Sequence, residues 1–270
     1  MADVYVNSWS EFKSAVGSYD NMDNKIILPE NAVWDMAEIK PYGDSFQIQC
    51  AEIDGRGTCI KNLVLNEGIY VYNEEHTPTI RNLEMKDWMC SGSTSVFGAY
   101  PITMYSCTFS GILASGVYYF IGDSMYLYNC SFNIESSGSE FFLSYGDSYF
   151  NYCRLELHLP NLTQDFTIFY AYCHCFFCEL LLYAPNVTFI DSGAFSGCVL
   201  RGNMTGVVND DYYPDPYWEG FVSIYKDDMF SDEFTPSAPL GFVCCTEEQM
   251  KNPAYLRGKG FPIVVEDGGD

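Results

Sequence analysis

The sequence predicts an all-β chain, a right-handed parallel β-helix with an N-terminal capping helix and a C-terminal cap. Two observations carry this. A six-residue pattern recurs at the length of one solenoid coil, and apolar positions inside it alternate as in a strand with one buried face. The copies read Ile60-Lys-Asn-Leu-Val-Leu65, Ile80-Arg-Asn-Leu-Glu-Met85, Met104-Tyr-Ser-Cys-Thr-Phe109, Leu127-Tyr-Asn-Cys-Ser-Phe132, Phe150-Asn-Tyr-Cys-Arg-Leu155, Cys175-Phe-Phe-Cys-Glu-Leu180 and Phe195-Ser-Gly-Cys-Val-Leu200. Their fourth positions (Leu63, Leu83, Cys107, Cys130, Cys153, Cys178 and Cys198) lie 20, 24, 23, 23, 25 and 20 residues apart.

Each copy reads as one strand per coil, stacked about 4.8 Å from its neighbours so that like residues form interior columns. One column is then made of cysteine, a small side chain that suits a narrow interior. Apolar runs between the copies, at Gly116–Ile121, Glu140–Tyr145 and Phe166–Ala171, predict one or two further strands per coil. Gly122-Asp-Ser and Gly146-Asp-Ser mark turns between them.

The ends are read separately. Residues 1–30 form an N-terminal cap, because Ser8-Trp-Ser-Glu11 has a capping-box pattern and Trp9, Phe12 and Val16 follow at helical spacing. The solenoid occupies 31–206, with Asp54-Gly-Arg-Gly57 as a tight turn. Residues 207–240 are read as an acidic, aromatic loop excursion with four prolines, and 241–270 as a C-terminal cap with a helix from Thr246 and a strand at Gly260–Val265.

Hydrophobic residues make up 48% of the 270 and aromatics 17%, ample for a continuous core, which excludes a disordered chain. Thirteen basic against 36 acidic residues give a formal charge of -23, which repels nucleic-acid backbones and anionic membranes. Direct nucleic-acid binding and membrane association are therefore not expected. The opening residues show no basic stretch followed by an apolar one, so synthesis in a cytoplasm is expected, with the 12 cysteines reduced.

Val6-Asn-Ser-Trp-Ser-Glu-Phe12, the Ile53-Asp-Gly-Arg-Gly57 turn and the Asn-Leu rungs together resemble the pectin-lyase-like β-helix superfamily. The terminal Thr246–Lys251 and Gly260–Ile263 stretches resemble endings of bacteriophage and prophage β-helix proteins. The second resemblance implies a virion component, made in the host bacterial cytoplasm, that decorates a capsid, forms a head fibre or serves tail adhesion. Its expected partners are capsid or tail proteins, a surface glycan, or further copies of itself, for instance in a trimer.

Catalytic patterns of the superfamily's polysaccharide lyases and hydrolases are not found, and no catalytic residue is assigned. His76, His158 and His174 fall at different places in the repeat. Asp123, Asp147 and Asp191 lie seven, six and seven residues before column cysteines and are read as occupying similar turns. Two such carboxylates one strand apart could share a proton, bind calcium or hydrolyse a glycosidic bond, whereas the plainer reading is a backbone-bonding turn aspartate.

Cys173-His-Cys-Phe-Phe-Cys178 has zinc-ligand residue types, but alternation puts Cys173 and Cys175 on one face and Cys178 in the packing column. No metal or cofactor is expected. Tyr212, Tyr213, Tyr217 and Trp218, among prolines and acids, are read as an interface or sugar platform, or else as rings folded onto the solenoid. The function expected is that of a non-enzymatic structural or interaction protein. A polysaccharide-binding or depolymerising adhesin comes second and an acidic DNA-mimicking inhibitor third.

Overall fold

In the computed structural model the described residues are 1–39, 45–92, 94–98, 100–163, 170, 173–176, 178–185, 188–191, 193–196, 198–202, 206–209, 222–225 and 242–245, with the backbone alone at 176 and from 188 onward. They form a parallel β-solenoid of about 7 turns with very little helix. Sheet I has nine strands, at Asp3–Tyr5, Lys25–Ile27, Glu52–Asp54, Thr79–Arg81, Ile102–Tyr105, Met125–Tyr128, Ser148–Asn151, Cys173–Phe176 and Gly193–Ser196. The twelve-stranded sheet II follows it in each coil, from Val33–Asp35 to Phe242–Cys245, and the five-stranded sheet III runs from Phe46–Ile48 to Phe142–Ser144. Thr188–Asp191 and Gly206–Asn209 form a separate parallel pair.

The core is a set of columns. On sheet I, Ile26, Ile53, Ile80, Met104, Leu127, Phe150 and Cys175 lie in register, all buried. On sheet II, Trp34, Ile60, Met85, Phe109, Phe132, Leu155 and Leu180 do the same. Each large apolar side chain so buried contributes roughly 1.5–3 kcal/mol. Phe109 and Phe132 stack at 4.6 Å, the spacing of successive coils.

The hexapeptide is a corner rather than a strand. From Ile80 to Leu180 each copy takes two residues from the end of a sheet I strand, turns, and enters sheet II. The third position is left-handed, with φ of 51° at Asn82, 51° at Ser106, 54° at Asn129 and 54° at Tyr152. Asn is favoured in that conformation because its side chain bonds locally, which explains the Asn-Leu and Asn-Cys signature. The amides of Asn82, Ser106 and Asn129 donate to carbonyls of Tyr105, Tyr128 and Asn151 on the next coil, so the ladder continues around the bend.

The copy at Ile60–Leu65 belongs elsewhere. Ile60 pairs with Met85, not with Ile80, and Asn62 lies at a second bend, inside sheet II, that recurs at Asp87 and Gly111. Both bends place a left-handed residue directly before a buried one, as in Asn62-Leu63 and Asn82-Leu83, so they share one sequence signature. The true corner of that coil is Asp54–Cys59, two residues longer than the Arg81–Glu84 corner it stacks on. Gly55 is required there, since a Cβ would lie 2.6 Å from the Asn82 carbonyl oxygen.

The helix Trp9–Val16 closes the first coil as its sequence predicts. Ser8 Oγ accepts the Glu11 amide, and Glu11 accepts the Asn7 amide at 2.7 Å. Trp9 and Phe12, 5.4 Å apart, pack on Trp34 and Phe46 at ring separations of 5.5–6.2 Å. At the other end, Val222–Tyr225 and Phe242–Cys245 extend sheet II within stretches read as excursion and cap. Leu200, Ile224 and Cys244 are in register, so coils of 24 and 20 residues continue past the last recognisable hexapeptide. The expected helix at Thr246 and strand at Gly260–Val265 lie outside the described residues.

Candidate interaction surface

Because inward and outward positions alternate, the residues flanking each core column form outward columns of their own. On sheet I these are salt-bridged low in the solenoid and aromatic higher up. Lys25 Nζ reaches Glu52 at 2.9 Å and Asp54 at 3.2 Å, and Arg81 reaches Glu52 at 3.4 Å. Hydrogen bonding to Glu52 raises the Lys25 pKa against its burial. Burial pushes the Asp54 carboxyl up, but hydrogen bonds from Lys25, the Arg56 amide and Asn82 outweigh it and hold the group below its ordinary value.

Above this network Arg81 caps a ladder of rings. Its guanidinium lies over Tyr105, which stacks on Tyr128 at 4.7 Å. Beside it Tyr126 stacks on Tyr149 at 5.4 Å and Tyr149 on His174 at 4.6 Å, nearly parallel in each case. These side chains are half-buried. On the outside of sheet III a second group forms, in which Tyr119 stacks on Phe142 and Tyr145 on Tyr170, the pairs meeting edge-on. Tyr145 and Tyr170 are 48% and 58% exposed, so their rings face solvent.

Asp123 and Asp147 occupy the corner between these two surfaces. Each follows a glycine in a three-residue connection from sheet III to sheet I, but the motifs are slipped by one residue. Met125 is in register with Ser148, which sets Asp147 opposite Ser124 and Asp123 opposite Gly146. Asp123 accepts the Ser124 amide at 2.6 Å, the local backbone bond of a turn aspartate. Asp191 ends the strand Thr188–Asp191 and does not lie in a turn. Tyr212, Tyr213, Tyr217 and Trp218 lie outside the described residues.

An open polar cleft of about 510 Å³ runs along the sheet I to sheet II corner, lined by Glu30, Asn31, Arg56, Asn82, Glu84 and Ser106 among others. Glu30 and Arg56 pair at 2.8 Å within it. Elsewhere Asp23, Glu75 and His76 place ligand-type atoms within 4.8 Å of one another, all on exposed side chains, with His76 paired to Asp23 at 2.7 Å.

Cys173 and Cys175 point into the core while His174 stacks outside, so this triplet does not converge on a metal. Cys107, Cys130, Cys153 and Cys178 form the buried corner column. Hydrogen bonding to Cys130, and then burial, raises the Cys107 thiol. Bonds with Cys130 and Cys178, and then burial, raise Cys153. Cys130, bonded to both Cys107 and Cys153, is pulled down by them against its burial.

The ring ladders escaped the sequence reading although their signal is present. Tyr105 and Tyr128, and likewise Tyr126 and Tyr149, are 23 residues apart at outward strand positions. Only the inward positions of the repeat carry the fold, and the outward ones hold the surface. No protein-family model, curated protein or solved structure matches this chain. Among the described residues no helix is long and apolar enough to cross a membrane.

Proposed function

We propose that this chain is a non-enzymatic structural and interaction protein, a stiff solenoid that docks on a larger assembly through its outer faces. The supporting observation is the outward aromatic surface of sheets I and III, built coil on coil with acidic turns between. A glycosidase pair of carboxylates must flank one bond, with one of the two kept protonated. Asp123 instead bonds its own turn, one residue out of step with Asp147.

The finer reading is a bacteriophage virion component, a capsid decoration, head fibre or tail adhesin. It rests on the likeness of the chain's opening and tail to pectin-lyase-like and phage β-helix proteins, and on the stiffness of stacked parallel coils. Purified protein incubated with bacterial surface polysaccharides is expected to leave their chain length unchanged by size-exclusion chromatography. Shortening that disappears in an Asp123→Asn, Asp147→Asn variant overturns the proposal.

The polar cleft favours one second reading, a polysaccharide-binding adhesin on the same fold. Its hydroxyl, amide and paired charged groups suit a neutral sugar chain. Glycan binding lost in Arg56→Ala would support it.

A further inference from the structure

We infer that the corner between sheets III and I is a docking site for an arginine-rich, basic protein segment, an inference that rests on reading the chain as an interaction protein. The corner carries the carboxylates of Asp123 and Asp147, with Tyr145 and Tyr170 on its sheet III side and Tyr126 and Tyr149 on its sheet I side.

Three observations select this occupant. Residues 87–153, which build these coils, contain no Lys, Arg or His but five acids, Asp87, Asp123, Glu135, Glu140 and Asp147. None of the five forms an ion pair among the described residues, whereas in the lower coils Glu30 pairs with Arg56, Asp35 with Lys61, Glu52 with Lys25 and Arg81, and Asp54 with Lys25. With five acids and no base, residues 87–153 carry a negative field, and a second copy, itself at -23, would be repelled.

The second observation is the exposure of Tyr145 and Tyr170, stacked at 4.9 Å and open to solvent, with exposed Asp147 two residues after Tyr145 in the same connection. Carboxylate beside ring is the pairing that a guanidinium satisfies, with its fork on the oxygens and its plane on the ring. An ammonium satisfies it less well. Third, the chain already displays this contact with its own Arg81, 4.0 Å from the Tyr105 centroid and 3.4 Å from Glu52. The corner between sheets III and I holds rings and acids of the same kinds, at other positions of the coil, with no arginine among its described residues.

Fluorescence anisotropy with labelled oligo-arginine and oligo-lysine peptides of equal length, in about 0.15 M salt, tests this. Oligo-arginine is expected to bind the full chain several-fold more tightly. Asp123→Asn with Asp147→Asn should weaken it by about tenfold or more, and Tyr145→Ala with Tyr170→Ala should erase the preference for arginine. Glu38→Gln with Glu67→Gln removes the same charge from exposed positions on the lower coils and should change little.

Equal binding of the two peptides, or equal weakening by the two acid pairs, overturns the inference and leaves the non-enzymatic reading standing. Binding of a neutral glycan but neither peptide overturns it in favour of the adhesin. Polysaccharide turnover would instead remove the reading on which it rests.

Discussion

Arg81 holds its guanidinium 4.0 Å from the centre of the Tyr105 ring, one coil away, and so closes the lower end of the ladder that Tyr105 forms with Tyr128. Cation–π contacts at partly exposed sites are worth about 0.5–1 kcal/mol. Arg81→Ala should lower the unfolding free energy in urea by roughly that amount. Tyr105→Ala should cost more, because it removes the Tyr128 stack as well. Equal losses would mean that the ladder contributes nothing along its length.

The cap is the place where one side chain matters most. Trp9 and Phe12 cover the open end of the first coil, and both are buried. Truncating either to Ala should destabilise by about 3–5 kcal/mol, whereas Ser8→Ala, which removes only the N-cap acceptor, should cost about 1 kcal/mol. Thermal unfolding followed by far-UV circular dichroism measures both. A Trp9→Ala loss no larger than that of Ser8→Ala would show the first coil to be self-sufficient.

The left-handed corners give substitutions of opposite sign. Tyr152 holds φ of 54° with its side chain 66% exposed, so Tyr152→Asn should stabilise by up to about 1 kcal/mol. Asn129 holds the same φ, and Asn129→Ile should destabilise by about 1–2 kcal/mol. Urea midpoints that move in the same direction for both would contradict the corner assignment.

These corners also show how much the sequence discloses. The solenoid and its cap were legible because inward positions must be apolar in every coil and a helix needs its own cap residue. Strand limits were not, since a corner with a buried fourth position imitates a strand, and Ile60–Leu65 matched a bend that happened to need the same residues. The surface was least legible. Nothing in coil stacking constrains Tyr126 or Tyr149, and the one-residue slip between Asp123 and Asp147, present in their spacings of seven and six to the column cysteines, becomes visible as a mismatch only in the register.

Acid should weaken the solenoid through carboxyls held below their ordinary value. Besides Asp54, Glu156 is lowered, because hydrogen bonds from His158, Arg154 and Asn133 outweigh burial, which raises it. A depressed folded-state pKa contributes stability that is present above the unfolded value and lost as pH falls through the folded one. Unfolding midpoints should therefore drop as pH falls below about 4. Lys25→Met, which takes one donor from Asp54, should make that drop shallower. An equally steep drop in the variant would show that the Lys25 network is not its source.

On the function proposed above, this solenoid is a component of a larger particle and not a free catalyst. Quantitative mass spectrometry of purified phage particles from a cell that makes the chain, with copies counted against the major shell protein, tests it most directly. The account predicts a fixed, reproducible number of copies per particle that survives washing in high salt. Absence of the chain from particles while it is abundant in the lysate would contradict it.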